Sequence, residues 1–127
     1  MPTTTQYLRI ATTIFATIFV GMGISVFQDP SITLGFFELP YSAVAAQNQL
    51  ISVLLAVYAV RDVFVGLAIY VAAYFGDKRT LGWMTIAAGA VAAGDGAICK
   101  VMVGKGEWNH WGYAPMLIVV GGALALG

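Results

Sequence analysis

The sequence predicts an all-α fold, an integral-membrane four-helix bundle with a long interfacial loop between helices 1 and 2, forming one domain over residues 1–127. Three observations predict it. Of the residues, 60% are apolar and only 9% charged, and the mean hydropathy is +0.86, where a water-soluble domain carries roughly 25% charged residues. The charges are spaced so that four apolar runs stand between them. A proline-interrupted stretch separates the first run from the second. Six Lys/Arg balance six Asp/Glu without a basic run, which argues against a nucleic-acid partner. The single cysteine, Cys99, leaves no internal disulfide and no thiolate metal cluster.

Helix 1 is predicted over about 7–27, because residues 10–27 provide 18 positions without a charge, at the lower end of what crosses a ~30 Å hydrocarbon core. Arg9 ahead of this run also suits a cleavable signal peptide, but the run is long and no small-residue cleavage site follows, so a retained helix is expected. In residues 28–46, Asp29-Pro30, Gly35, Glu38 and Pro40 interrupt two apolar clusters, and neither proline permits a continuous helix. This stretch is expected at the membrane interface, with Phe36, Phe37 and Tyr41 at headgroup depth. Helix 2 is predicted over 47–75, broken in polarity only by Arg61-Asp62 in its middle. Helix 3 follows a short polar turn, Gly76 to Arg79, and covers about 80–103 with Asp95 inside it. After a connection holding Trp108 and Trp111, helix 4 is predicted over 111–126, with Pro115 in its first turn.

Charges in short loops set the orientation. Arg9, Lys78 and Arg79 lie on one side, against Lys105 and Lys100 on the other, which places both termini in the cytoplasm by the positive-inside rule. An integral-membrane location is expected, in the endoplasmic reticulum.

Arg61, Asp62 and Asp95 are the costly residues, since a charge at the centre of a spanning helix costs on the order of +2.5–3.5 kcal/mol. Arg61 and Asp62 lie 14 and 13 residues from the ends of helix 2, ~20 Å at 1.5 Å per residue and so near the bilayer midplane. Measured from the far helix ends, Asp95 differs from Arg61 by ~9 Å in depth, a gap that a guanidinium largely crosses. A structural ion pair is the bland alternative. Stepping back from Asp62 along helix 2 brings Tyr58, Ser52 and Asn48 to one flank, a strip suited to a polar cavity between helices 2 and 3. Helix 3 carries Ala88, Gly89, Ala92, Ala93, Gly94 and Gly96, which permit close helix approach and leave room beside Asp95. Asp29, Glu38, Lys100, Glu107, Asn109 and His110 gather on the opposite rim, where His110 is the candidate proton shuttle.

Two carboxyl groups and an Arg in a dry pocket provide an acid and a base together. That pairing suits opening of an epoxide, one group protonating the ring oxygen while the other activates water or an internal hydroxyl. The Asp-Arg-Asp combination is similar to that of limonene-epoxide-type hydrolases, which are soluble and differently folded, so only the chemistry is comparable. Neither a metal nor another cofactor is expected, because one His and one Cys make no ligand cluster. Ser/His/Asp hydrolysis is unsupported, as no nucleophile elbow is present.

The run Tyr58-Ala59-Val60-Arg61-Asp62-Val63-Phe64-Val65-Gly66-Leu67, the step Gly94-Asp95-Gly96 and His110-Trp111-Gly112 resemble a family of small four-helix membrane proteins common in fungi, similar in layout to the DoxX-like proteins. The resemblance covers nearly the whole chain. It implies a lipophilic polyketide or terpenoid substrate, since some relatives act as hydrolases or cyclases on epoxidised intermediates, and it points to Arg61, Asp62, Asp95 and His110 as catalytic positions. The expected function is therefore acid/base epoxide opening in secondary metabolism, with Asn48, Ser52, Tyr58, Asp29 and Glu38 as substrate contacts. The alternative is a non-catalytic membrane subunit that assembles with itself or a partner through the small face of helix 3; proton-coupled transport is a third class.

Overall fold

The computed structural model describes residues 1–40 and 44–127, and the expectation for Tyr41 falls outside them. Among the described residues the chain is helical without strands: α1 (Thr4–Gln28), α2 (Pro30–Phe36), α3 (Ala45–Phe75), α4 (Lys78–Ile98), which continues into a π-helical turn (Cys99–Val103), α5 (Trp108–Trp111) and α6 (Ala114–Leu126). Three helical stretches, Thr4–Gln28, Ala46–Phe75 and Lys78–Val103, are long and apolar enough to cross a membrane. The expected fourth span is shorter. The segment predicted as 111–126 divides into α5 and α6 around Gly112 and Tyr113, and the 13 residues of α6 reach only ~20 Å.

Local chemistry sets the helix ends. Thr3 and Gln6 form a reciprocal capping box at the start of α1. Asp29 ends α1 and caps α2, its carboxylate accepting from the Ser31 amide at 3.0 Å, with Pro30 in the first turn. The interfacial loop expected at 28–46 is thus in part a seven-residue helix. Asp77 caps α4 by accepting from the Thr80 amide at 2.7 Å, a bond that lowers its pKa. At the far end of α4, Gly104 closes the π turn with an amide bond to the Cys99 carbonyl at 2.9 Å and a φ of 84°, which suits glycine.

The helices pack as two antiparallel pairs, α1 with α3 and α4 with α6. Glycines bring the backbones together in both. A Cβ on Gly66 would lie 2.6 Å from the Ala16 carbonyl oxygen, and one on Gly23 2.7 Å from that of Ala59, so α1 and α3 run in opposite directions at close range. Arg9 donates to the Ala73 carbonyl at 2.6 Å and the Gly76 carbonyl at 3.4 Å, satisfying the C-terminal end of α3. Thr17 and Tyr70 also share a hydrogen bond across this pair.

In the second pair, a Cβ on Gly82 would meet the Gly121 oxygen at 2.6 Å, and one on Gly89 would meet the Ile118 side chain at 2.8 Å. The small face of α4, offered by the sequence to a partner or a ligand, is therefore covered within the chain by α6. Gly82→Ala is expected to lower the thermal midpoint in detergent by overpacking, at ~1–3 kcal/mol. Gly94→Ala, inside α4 where an added Cβ meets nothing within 4 Å, is expected to raise the midpoint slightly, since alanine is the better helix former.

Ala16, Phe19, Ile69, Leu81, Leu117 and Leu124 form the core shared by both pairs. The outer faces remain apolar: Ile14, Ile18, Val57, Val60, Phe64 and Val119 are among the exposed side chains. Apolar residues both inside and outside are what a bundle solvated by acyl chains requires.

Candidate functional site

Arg61 and Asp95 are brought into direct contact by the register of α3 against α4. Arg61 lies 15 residues before Gly76 and Asp95 lies 18 after Asp77, so counted from the turn that joins the helices they differ by only ~4.5 Å in depth. The larger gap expected from the far ends arises because α3 extends beyond the bundle at its N-terminal end. The guanidinium grips Asp95 with both terminal nitrogens, Nη1 to Oδ1 at 2.9 Å and Nη2 to Oδ2 at 2.7 Å. This is the bidentate arrangement that Arg and carboxylate geometry favour. The Tyr58 hydroxyl donates to Asp95 Oδ2 at 3.2 Å, and the Tyr58 ring lies under the guanidinium, 4.1 Å from its carbon.

Asp62 is held differently. Its contact with this group is a single bond from Arg61 Nη2 at 3.3 Å, although the residue is as buried as Asp95, 5% against 6% exposed. Asp62 turns instead to a cavity of about 210 Å³, whose other polar walls are Tyr58, Thr33, His110 and Tyr113. The apolar walls are Phe15, Ile18, Phe19 and Met22 from α1 and Phe36 from α2.

The cavity thus lies among α1, α2, α3 and the α5–α6 corner, not between α3 and α4 as the flank of Tyr58, Ser52 and Asn48 suggests. Gly96 explains part of the difference. The room it leaves beside Asp95 is filled by the indole of Trp111, whose Nε1–H donates to the Ala93 carbonyl at 3.1 Å. Along the α1–α3 pair, the middle of α1 faces Gly66 and the Ala59–Val63 turn faces Gly23, placing Asp62 toward the end closed by α2 and α5.

His110 reaches this cavity because α5 folds back under α2. Asn109 donates to the Phe36 carbonyl at 3.0 Å, and the imidazole packs against Phe37 at 4.9 Å and Phe36 at 6.3 Å between ring centres. Phe37 also meets the Tyr58 ring edge-on at 5.4 Å. Phe36 and Phe37, expected at headgroup depth, face inward over the site. His110 is 1% exposed, and its imidazole has no well-formed hydrogen bond among the described residues, the Phe36 carbonyl being the one backbone acceptor that acts on the ring. Thr33 Oγ1 is buried without a partner in the same way.

Burial holds the His110 imidazole below its ordinary value of 6.5, with the Asp95 charge opposing. The native state therefore keeps it neutral where an unfolded chain would begin to take a proton. Stability from this source is complete above about pH 6.5 and is lost as the pH falls toward the native value. The thermal midpoint is expected to drop between pH 7.5 and 5.5, and to drop less in His110→Phe; equal losses in both proteins would assign the effect to another group.

Of the proposed substrate contacts, Tyr58 lines the cavity and the others stand apart from its walls. Ser52 is exposed on α3, and Asn48, in the first turn of that helix, has interactions of its own. Asp29 is occupied in capping α2. Glu38 pairs with Lys105 at 3.8 Å on the rim, beside the Lys100–Glu107 pair at 2.8 Å. Thr33 and Tyr113 are cavity residues that sequence reasoning misses. Thr33 lies in a segment read as loop, and nothing in its neighbours marks it; Tyr113, three residues after His110, carries at least that proximity as a signal.

A family described as a domain of unknown function, DUF4267, matches residues 16–124. No curated protein and no solved structure matches the chain. The matched span includes every wall of the cavity except Phe15.

Proposed function

We propose that this chain, a member of the DUF4267 family, is an integral-membrane enzyme of secondary metabolism that opens an epoxide on a lipophilic polyketide or terpenoid by acid/base catalysis. The observation that carries the proposal is that Asp62 and a buried His110, without a well-formed hydrogen bond, line one largely apolar cavity. A buried polar side chain without a partner is costly. Here the imidazole has at most the Phe36 carbonyl for a partner.

One guanidinium faces two carboxyl groups, so the Arg61, Asp62 and Asp95 cluster is one proton short of neutrality. Asp62 carries that proton and gives it to the epoxide oxygen as the carbon–oxygen bond breaks. Water, or a hydroxyl of the substrate itself, forms the new bond at carbon and loses its proton to neutral His110. Proton return from His110 to Asp62 resets the site. The product is a diol when water attacks and a cyclic ether when the internal hydroxyl does, with no net proton change in either case. Arg61 and Asp95 act through Asp62: their mutual grip holds the guanidinium where it meets one Asp62 oxygen and balances the charge formed during proton transfer.

Of the small face behind the assembly reading, Gly89 packs against α6 and Gly96 against Trp111, while Gly94 stays open. The test of the catalytic reading is direct. Protein in lipid nanodiscs is incubated with a panel of lipophilic epoxides in ¹⁸O-labelled water, and either a diol carrying one label or an unlabelled cyclic ether is expected above the protein-free rate. Unchanged epoxide across the panel would overturn the proposal.

A further inference from the structure

We infer that the cavity takes only the oxygenated head of a long apolar molecule, which enters sideways from the bilayer past Ile18 and is held through a second oxygen by Thr33. The inference rests on reading the cavity as a substrate site. Its size comes first. About 210 Å³ is below the ~300–1,000 Å³ of pockets that enclose most of a drug-sized ligand, which suits one small ring with its oxygen substituents rather than a whole polyketide or terpenoid skeleton. The remainder of such a molecule has to lie outside.

The walls say where. Phe15, Ile18, Phe19 and Met22 form one stripe of α1 at helical spacing. Within that stripe Phe19 is buried, but Ile18 is 54% exposed on the outer face of the helix. A side chain that both lines the cavity and faces outward marks the place where cavity and lipid meet. The tail of the ligand then stays among acyl chains, so its apolar surface never crosses water. Among the other walls, α2 supplies Thr33, which is 1% exposed and whose hydroxyl is unpartnered among the described residues.

Asp62 and His110 serve the reacting oxygen under the proposed function. Thr33 is left to serve another, a carbonyl or hydroxyl on the same ring, which makes the substrate class an alkylated cyclic ketone or alcohol bearing the epoxide. A hydroxyl donor built into a dry wall discriminates strongly against a molecule lacking that second oxygen.

The probe pair is 2,3-epoxycyclohexanone bearing a decyl chain, with decylcyclohexane as the oxygen-free control, each titrated into nanodisc-embedded protein and read by ligand-dependent thermal shift. The ketone is expected to raise the midpoint saturably and the control not to. Thr33→Val, which keeps the shape and removes the hydroxyl, is expected to weaken the apparent affinity about tenfold, while Thr33→Ser retains it. Ile18→Trp, its starting midpoint unchanged, is expected to slow association at least severalfold, read from the time course of intrinsic tryptophan fluorescence after mixing with the ketone. Absence of a saturable shift in the unaltered protein overturns the inference, as does binding by Thr33→Val or association with Ile18→Trp at the unaltered level. Because these readouts need no turnover, they separate from the catalytic proposal: epoxide opening that persists while Thr33→Val binds normally removes this inference alone.

Discussion

Asp62→Asn is expected to lower epoxide turnover by about a hundredfold or more, the usual worth of a positioned acid or base, while folded yield and thermal midpoint stay near those of the unaltered protein. The reasons lie in its contacts. Asp62 has one 3.3 Å bond from Arg61, whereas Arg61 keeps both of its shorter bonds to Asp95 when the Asp62 carboxyl becomes an amide. The amide can still accept the Arg61 hydrogen, so little of the fold depends on the carboxyl proton. Turnover of the variant at the unaltered rate, measured in nanodiscs on the same epoxide, would remove Asp62 from the chemistry.

Asp95→Asn is expected to fail in the opposite way. Removing one partner of a buried bidentate pair leaves the other charge uncompensated, at a cost of ~3–5 kcal/mol, and in a bilayer no water replaces the lost carboxylate. Folded yield and thermal midpoint should fall sharply. The Tyr58 hydroxyl, which donates to the same carboxylate at 3.2 Å, is left with a weaker acceptor. Turnover per folded molecule is the telling number. If Asp95 were a proton donor, the surviving folded fraction would be inactive; as a positioning residue, it should leave that fraction partly active. A double variant, Arg61→Met with Asp95→Leu, removes both charges together and is expected to recover much of the folded yield, since a buried pair is often replaceable by apolar side chains of similar volume.

Much of this site is legible along the chain. Arg61, Asp62 and Asp95 stand out because charges within apolar runs are expensive, and each is found buried or partly buried in the bundle. The Arg61–Asp95 pairing follows as well, once depth is counted from the tight turn at Gly76-Asp77 rather than from the free helix ends. Other parts are not written in local pattern. Thr33 becomes a wall residue because Asp29 and Pro30 start a helix where proline suggests a break, and Phe36 and Phe37 turn inward because Asn109 ties that helix to α5. Ser52 is exposed and stands apart from the cavity walls, because the neighbouring helices cover a different face of α3.

What the sequence by itself determined is the solvent and the inventory: a chain for lipid, its long apolar helices, and the few charges those helices must tolerate. Transfer cost accumulates residue by residue, so it is readable in one dimension. The tertiary structure alone decided which carboxyl is spent on the guanidinium and which faces a cavity with His110. That choice depends on helix register, set by backbone contacts at Gly23, Gly66, Gly82 and Gly89 with residues tens of positions away, and a shift of one residue turns a side chain by about 100° around its helix.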